Sequence, residues 1–437
     1  MRIAFVVHKL PPDSLGGVET YSWSLARELA ATGNDVHVFY PRRGLPPEGA
    51  RRSEDGVRRW EVALRDSRAA EGPARQYWHT YRDGAIEAAF REFLAEVRPE
   101  VVHFQHLQGV SARLVWLAAG RPRLLTLHDY WYFCFNSQLL RPDQEICGGP
   151  KLGWNCVDCA TVRTDLRKYR RLRLLIALPL AYRNRYLADA TGQIDLFLAP
   201  SEFLRQKYAS QGFPGERIAV LEHGLDMPRL ANVPGVELPP PASRPHFGFI
   251  GSIARHKGVH VLIEAFNQLP SEAALTLYGS EAGFPEYAAE VRALAHHPHV
   301  RFAGPLDHRL VGTALRELDC LVMPSIWHET YGLVIQEAFG AGVPVVASRL
   351  GALADRVQDG VTGRLFTAGD ADDLARVLGE LIANPGELAL LAKNVRPGPD
   401  IHRHGELLLR VYRALVGGTP PGEIAAHVRN GSEPAAG

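Results

Sequence analysis

The chain reads as an α/β protein built from two doubly wound, parallel sheets, and three observations predict this. Short β-branched runs alternate with amphipathic stretches from the first residues onward, the rhythm of strand, crossover helix and parallel strand. The rhythm breaks once, at ANVPGVELPPPASRP over 231–245, where five prolines and few large apolar groups read as a linker. A length of 437 residues with 46% hydrophobic composition is also too much for one ordinary core.

Taken in order, the first domain spans 1–230. Its strands are read at IAFVV near residue 3, VHVF near 36, VVHF near 101, LLTL near 124, LFLAPS near 196 and IAVLE near 218. Helical spacing recurs between them, as in Tyr21 to Ala30 and Ile86 to Val97. After the linker the pattern restarts over 246–400 with FGFIG, LTLYG, VRFAG, LVMPS, VPVVAS and GRLF. A further helical run covers about 402–416, and 417–437, rich in Gly, Pro and Ala, is expected to be a frayed, disordered tail. Two such sheets in one chain imply a cleft between two ligand-binding edges.

Composition excludes several classes. A formal net charge of +1 does not suit a chain built to hold nucleic acid. Met1 runs straight into a strand with no charged-then-apolar leader, so a cytoplasmic location is expected. The longest lipid-like run, Leu174 to Ala181, is short and contains Pro179, so it cannot span a bilayer. Five cysteines in such a chain argue for reduced thiols or a metal site over a disulfide framework.

The most informative stretch is WHETYGLVIQEAF, Trp327 to Phe339. It follows a strand-like CLVMPS, so Trp327 to Tyr331 form a loop at a strand's carboxyl end. Glu337 falls in an apolar helical run with Leu333, Val334 and Ala338. If Gly332 and Leu333 open that helix, its first N–H groups and dipole make a seat for a phosphate. The step from Glu329 to Glu337 spans about 12 Å when helical, which matches the distance from the sugar to the ribose of a nucleoside diphosphate sugar. Two glutamates near a helix start are also ordinary complements of its dipole.

With GAGVPVVAS behind it over 340–348, this block resembles the Glu-x7-Glu signature of the retaining glycosyltransferases of family four, which have the GT-B fold. The resemblance implies two Rossmann-like domains facing each other across a cleft, with the 402–416 helix packing back on the first. It implies that Glu329 orients the transferred sugar, and that Glu337 holds the ribose. It matches Lys257, in GSIARHKG over 251–258, to the family's phosphate-binding lysine. Where the family often has arginine after the first glycine this chain has Ser252, and Arg255 is the candidate for the missing charge. A solvated basic turn is the bland alternative for this loop.

Other positions follow the same logic. Gly16 and Gly17, after the first strand, remove side chains where backbone can approach a ligand, although glycine pairs are often plain turns; the family's Gly-Gly there implies contact with donor phosphate or acceptor. His128 ends the LLTL strand, where the family has a histidine near the transferred sugar. His103, Gln105 and His106 end the preceding strand beside an acceptor site. Gly304, in RFAGP over 301–305, lies where family backbone brackets the nucleobase. Tyr331 stands where phenylalanine is frequent, its hydroxyl directed at the donor or at water. Asp370 and Asp372 read as helix capping rather than as metal ligands, and Cys320 reads as core.

Two segments go beyond the family core. Cys134, Cys147, Cys156 and Cys159, the last two as Cys-x-x-Cys, fit a structural zinc site, with free thiols and disulfides as the other readings. Arg163 to Arg185 carries eight bases against the single acid Asp165, with Leu166, Tyr169, Leu172, Ile176 and Leu180 at helical spacing. That pattern fits a helix lying on anionic lipid, and equally a solvated helix on the first domain.

The function these readings imply is retaining transfer of a sugar from a nucleoside diphosphate sugar to a hydroxyl acceptor, a glycan or a lipid-linked glycan. The resemblance implies front-face substitution in which protein cations neutralise the diphosphate, so no cofactor is required for catalysis. The alternatives are a nucleotide-sugar epimerase or phosphorylase on the same fold, and a nucleotide-sugar-binding protein without turnover. Peripheral contact would place the enzyme at the inner face of the membrane.

Overall fold

The computed structural model describes residues 1–14, 16–46, 48–64, 77–231, 238 and 244–430. They fall into two compact units, Met1–Gly224 with Ile401–Gly437, and Leu225–Asp400. Most of the 231–245 stretch read as a linker lies outside the described residues.

Unit 1 carries strands β1 (Arg2–Val6), β2 (Asp35–Arg43), β3 (Ala50–Glu54), β4 (Val57–Leu64), β5 (Val101–Phe104), β6 (Arg123–Thr126), β7 (Leu196–Ala199) and β8 (Ile218–Val220). They form one sheet in the order β3-β4-β2-β1-β5-β6-β7-β8. Helices α1 (Gly17–Ala31), α2 (Gly84–Val97), α3 (Leu114–Leu117), α4 (Cys156–Arg163), α5 (Arg173–Thr191) and α6 (Glu202–Ala209) connect them. Helix α1 buries Tyr21, Leu25 and Leu29, spaced one turn apart, against Ile3 and Phe5 of β1.

Unit 2 alternates more regularly: β9 (His246–Ile250), α7 (Val259–Phe266), β10 (Ala274–Tyr278), α8 (Pro285–Leu294), β11 (Val300–Gly304), α9 (Val311–Arg316), β12 (Cys320–Met323), α10 (Leu333–Gly340), β13 (Val345–Ser348), α11 (Ala352–Arg356), β14 (Gly363–Phe366), α12 (Ala371–Ala383) and α13 (Pro385–Asn394). Its sheet is parallel throughout, in the order β11-β10-β9-β12-β13-β14. Both faces are covered by apolar layers, so the strands themselves are continuous hydrophobic runs. Cys320 is one of those core residues. The chain then returns to unit 1 as α14 (Ile401–Val416), whose Leu408, Val411, Tyr412 and Leu415 complete the α1 core, and α15 (Pro421–Arg429).

Three sequence expectations need correction. Strands β3 and β4 pair antiparallel, as a hairpin that the all-parallel reading lacks. Asp55 and Gly56 take φ of 51° and 78°, a type I′ turn that Asp-Gly favours. Arg163 to Arg185 is not one helix: α4 ends at Arg163, Asp165 turns left-handed, a 3₁₀ turn covers Arg167–Leu172, and α5 starts at Arg173. The expected frayed tail contains α15, with Ile424 and Ala425 fully buried. Proline at a helix start is well tolerated, and the apolar face of this helix packs on β8, so a Gly/Pro count missed it. Residues 431–437 lie outside the described residues.

Candidate active site

In unit 2 the strand order reverses between β9 and β12, and ligands in open α/β sheets bind beyond the carboxyl ends of such a pair. The loops leaving these two strands carry Lys257 and Glu329. Lys257 Nζ donates to Glu329 Oε1 at 2.7 Å, Ser325 Oγ to the same oxygen at 2.8 Å, and Trp327 Nε1 to it at 2.9 Å. Glu329 is only 6% exposed. Burial alone would raise its carboxyl, but the Lys257 charge and these three hydrogen bonds outweigh it and hold the group below its usual value.

Two features bring the loops together. The Ile326 N–H donates to the His256 carbonyl at 3.0 Å. At Gly258, with φ of 68°, a Cβ would stand 1.9 Å from the Pro324 carbonyl oxygen, so only glycine lets the loop after β9 pass the loop after β12. Lys257 is thereby fixed one residue away. Burial, and secondarily Lys257, lower the neighbouring His256 to about 4 against a smaller opposing pull from Glu329, so its imidazole is neutral near pH 7.

The rest of the block is arranged around this pair. Gly332 caps α10 in the left-handed conformation, and Leu333 and Val334 stand half-buried in its first turn. Glu337 is buried on the same helix. Tyr331 is buried too, with the Arg356 guanidinium 4.0 Å above its ring, so its hydroxyl does not simply point to water. Gly304 ends β11, and its carbonyl accepts the Gly279 N–H at 2.8 Å. Arg255 is engaged elsewhere: it donates to Glu290 at 2.6 Å and lies 4.9 Å over the Tyr287 ring, while Ser252 is exposed. Asp370 accepts from the Asp373 N–H and caps α12, as its position before the apolar run implies.

In unit 1 the reversal lies between β1 and β5, and a cluster of rings gathers at those strand ends. His128 Nε2 meets Gln105 Oε1 at 3.0 Å, and its ring stacks on His223 at 5.2 Å. Burial, reinforced by the surrounding histidines, holds His128 well below its usual value and therefore neutral. His106 lies 4.7 Å from His8 and 3.3 Å from Asp129. His103 does not border a site: it is fully buried, bonded to Tyr412 at 2.6 Å and to Thr126 at 2.7 Å, because it lies inside β5 rather than beyond its end.

Gly16 precedes α1 in ordinary extended backbone, and Gly17 opens the helix. The space beside Gly16 is taken by the Glu19 carboxylate, which also accepts from Ser14 at 2.8 Å and lies 3.4 Å from His8. Glu19 and His8 escaped the sequence reading, although a glutamate in the first turn after Gly-Gly was a usable signal. So did a cavity of about 820 Å³ in unit 1, lined by Lys9, Arg42, Arg43, Gln108, Trp131 and Arg163 among others. Lys9 follows β1, Arg42 and Arg43 end β2, and Arg163 ends α4. Cys134, Cys147, Cys156 and Cys159 converge on a separate small cavity in unit 1.

Comparison with known proteins follows the same division. Residues 15–229 match the family model described as Glycosyltransferase Family 4, and residues 244–384 match Glycosyl transferases group 1. A D-inositol 3-phosphate glycosyltransferase of Streptomyces coelicolor is 31% identical over 417 residues, 87% of this chain and 82% of that protein. The namesake from Xylanimonas cellulosilytica is 37% identical over 160 residues, which span 36% of this chain and 38% of that protein. Among solved structures, sucrose-phosphate synthase from Thermosynechococcus elongatus superposes with a TM-score of 0.70 at 20% identity, covering 94% of this chain and 98% of that one. Anabaena HepE, solved with UDP and glucose, gives 0.64 at 20% identity, covering 94% and 99%.

Proposed function

Because this chain belongs to glycosyltransferase family 4 and shares the GT-B fold of its solved neighbours, we propose that it transfers a sugar from a nucleoside diphosphate sugar to a hydroxyl acceptor with retention of anomeric configuration. The observation that carries this reading is the buried Lys257–Glu329 pair at the β9/β12 crevice. Among the described residues the three side-chain donors to Glu329 end on Oε1, and we assign Oε2 to the hydroxyls of the donor sugar. Glu337 holds the ribose. Lys257 and the first N–H groups of α10, at Gly332, Leu333 and Val334, take the diphosphate. Gly304 borders the nucleobase and Tyr331 shapes the pocket wall. Gly16 and Gly17 are assigned lesser roles in donor binding, and Arg255 joins them only on leaving Glu290.

Chemistry on one face of the sugar follows. The bond from the anomeric carbon to the donor phosphate oxygen breaks, the acceptor oxygen bonds to that carbon from the same side, and the departing phosphate oxygen takes the acceptor's proton. Lys257 and the α10 dipole stabilise the charge growing on the diphosphate, so this step needs no cofactor. The neutral His128 is a hydrogen-bonding partner for a sugar hydroxyl.

The acceptor we infer carries a phosphate or similar anionic group. Lys9, Arg43 and Arg163 around the unit 1 cavity support this, as does the name of the Streptomyces relative, while Arg42 there is paired with Asp13 and Glu61. A lipid-linked acceptor and contact with an anionic membrane are supported by α5, whose Leu174, Leu175 and Leu178 are exposed beside Arg167, Lys168, Arg170 and Arg171.

The test is incubation of UDP-, GDP- and ADP-α-sugars with phosphorylated polyols and lipid-linked glycans, with NMR of the product. An α-linked product is expected. A β-linked product overturns retention, a free epimer favours the epimerase reading, and binding without turnover favours the non-catalytic one.

A further inference from the structure

The segment between β6 and α5 departs from regular structure, and its four cysteines do not scatter with it. Cys134, Cys147, Cys156 and Cys159 all line one cavity of about 10 Å³ in unit 1, roughly the space of a single small particle. They come from three separate places: the turn after Tyr130, the end of a short hairpin closed by the Leu140–Ile146 bridge, and the first turn of α4.

Backbone groups of Gly149 meet one of these sulfurs, that of Cys147. The Gly149 N–H donates to Cys147 Sγ at 3.4 Å, and the Cys147 thiol donates to the Gly149 carbonyl at 3.4 Å. A neutral thiol is a weak acceptor, whereas a thiolate is a strong one. Four sulfurs from three places lining one small buried cavity form a donor set suited to a soft cation.

The loop also needs a tether. Ser137, Leu139, Gln144, Lys151 and Leu152 all have φ between 42° and 70°, and each non-glycine residue held there costs about 1–2 kcal/mol. Beneath them the packing is thin, a small cluster of Cys156, Val157, Ala160, Ala177 and Leu180. Such a segment is held by a cross-link more readily than by burial.

We propose that the four cysteines bind one structural zinc ion as a tetrahedral tetrathiolate. Four sulfur donors and no open position match a closed zinc site rather than a catalytic one. Among the described residues no group of His, Cys, Asp or Glu is drawn in tightly enough to hold an ion as it stands. Loading therefore pulls the sulfurs toward the cavity centre, a contraction that the irregular loop can make while α4 stays in place. On binding, each thiol gives its proton to solvent and each sulfur becomes a zinc thiolate, with no change of oxidation state. The site stands apart from the sugar-transfer reading and survives its failure.

The experiment uses the full chain purified without chelator or added metal. Elemental analysis is expected to return close to one zinc per chain. Exchange with cobalt is expected to give the intense visible bands and thiolate charge-transfer absorption of a tetrahedral tetrathiolate. Cys159→Ser is expected to lower zinc content at least tenfold. If that variant does not fold, the cobalt spectrum of the unaltered chain decides alone. A folded protein with no zinc that takes up cobalt without charge-transfer bands overturns the proposal, as does a mass showing these cysteines joined in disulfides.

Discussion

At Glu329 three donors end on a single carboxylate oxygen, and one of them is the Lys257 ammonium. Lys257→Ala therefore does two things. It strips the partner from a buried charge, which costs about 3–5 kcal/mol, and it removes the cation proposed for the diphosphate. The two effects separate in the double variant Lys257→Met with Glu329→Gln, where no charge is left unpaired. Urea unfolding is expected to show stability largely recovered in the double variant, while transfer stays at least a hundredfold below the unaltered enzyme. Recovery of both would remove Lys257 from the chemistry. Glu329, Glu337 and Lys257 were singled out in the sequence through the family resemblance of two local blocks, and the structure brings Lys257 and Glu329 of those blocks together. Gly258 was not, because its close approach to Pro324 arises only when the loops after β9 and β12 meet, and neither were Ser325 and Trp327, because it is the fold of their own short loop that turns both side chains onto Glu329.

Helix α5 is the element that fits the interior least. Ala177, Leu180 and Leu187 face inward, yet Leu174, Leu175 and Leu178 are each at least 60% exposed. Apolar residues on both faces of one helix mark a surface that something else covers. With four bases in the turn before it, and about 1 kcal/mol per base near anionic lipid, flotation with acidic vesicles at low salt is expected. Leu175→Asp with Leu178→Asp should abolish it without touching the core. Equal flotation of that variant, or of the unaltered chain with neutral vesicles, would sink the membrane assignment. The bases and the leucines were legible in sequence; the break at Asp165 was not, because it depends on one left-handed residue. Helix α15 escaped for a related reason: proline starts helices as readily as it ends them, and only tertiary burial of Ile424 decides which. The β3–β4 hairpin is different, since Asp-Gly between alternating runs announces it and the parallel rhythm distracted from it.

For the molecule as a whole, each unit reverses its strand order once and gathers its chemistry at that reversal. Unit 2 gathers a lysine, a buried glutamate and a helix start; unit 1 gathers neutral histidines near a basic cavity. Alternating strands and helices made both sheets readable in advance, because parallel strands buried on two faces are continuous apolar runs. The basic cavity was not readable, because Lys9, Arg42 and Arg163 come from widely separated segments. The measurement that bears most directly on this account is a crystal structure of the protein with a nucleoside diphosphate sugar. It is expected to show diphosphate oxygens within about 3 Å of Lys257 Nζ and of the first N–H groups of α10, with Glu329 on the sugar and Glu337 on the ribose. A diphosphate seated away from the β9 and β12 strand ends, with the Lys257–Glu329 pair undisturbed, would contradict it.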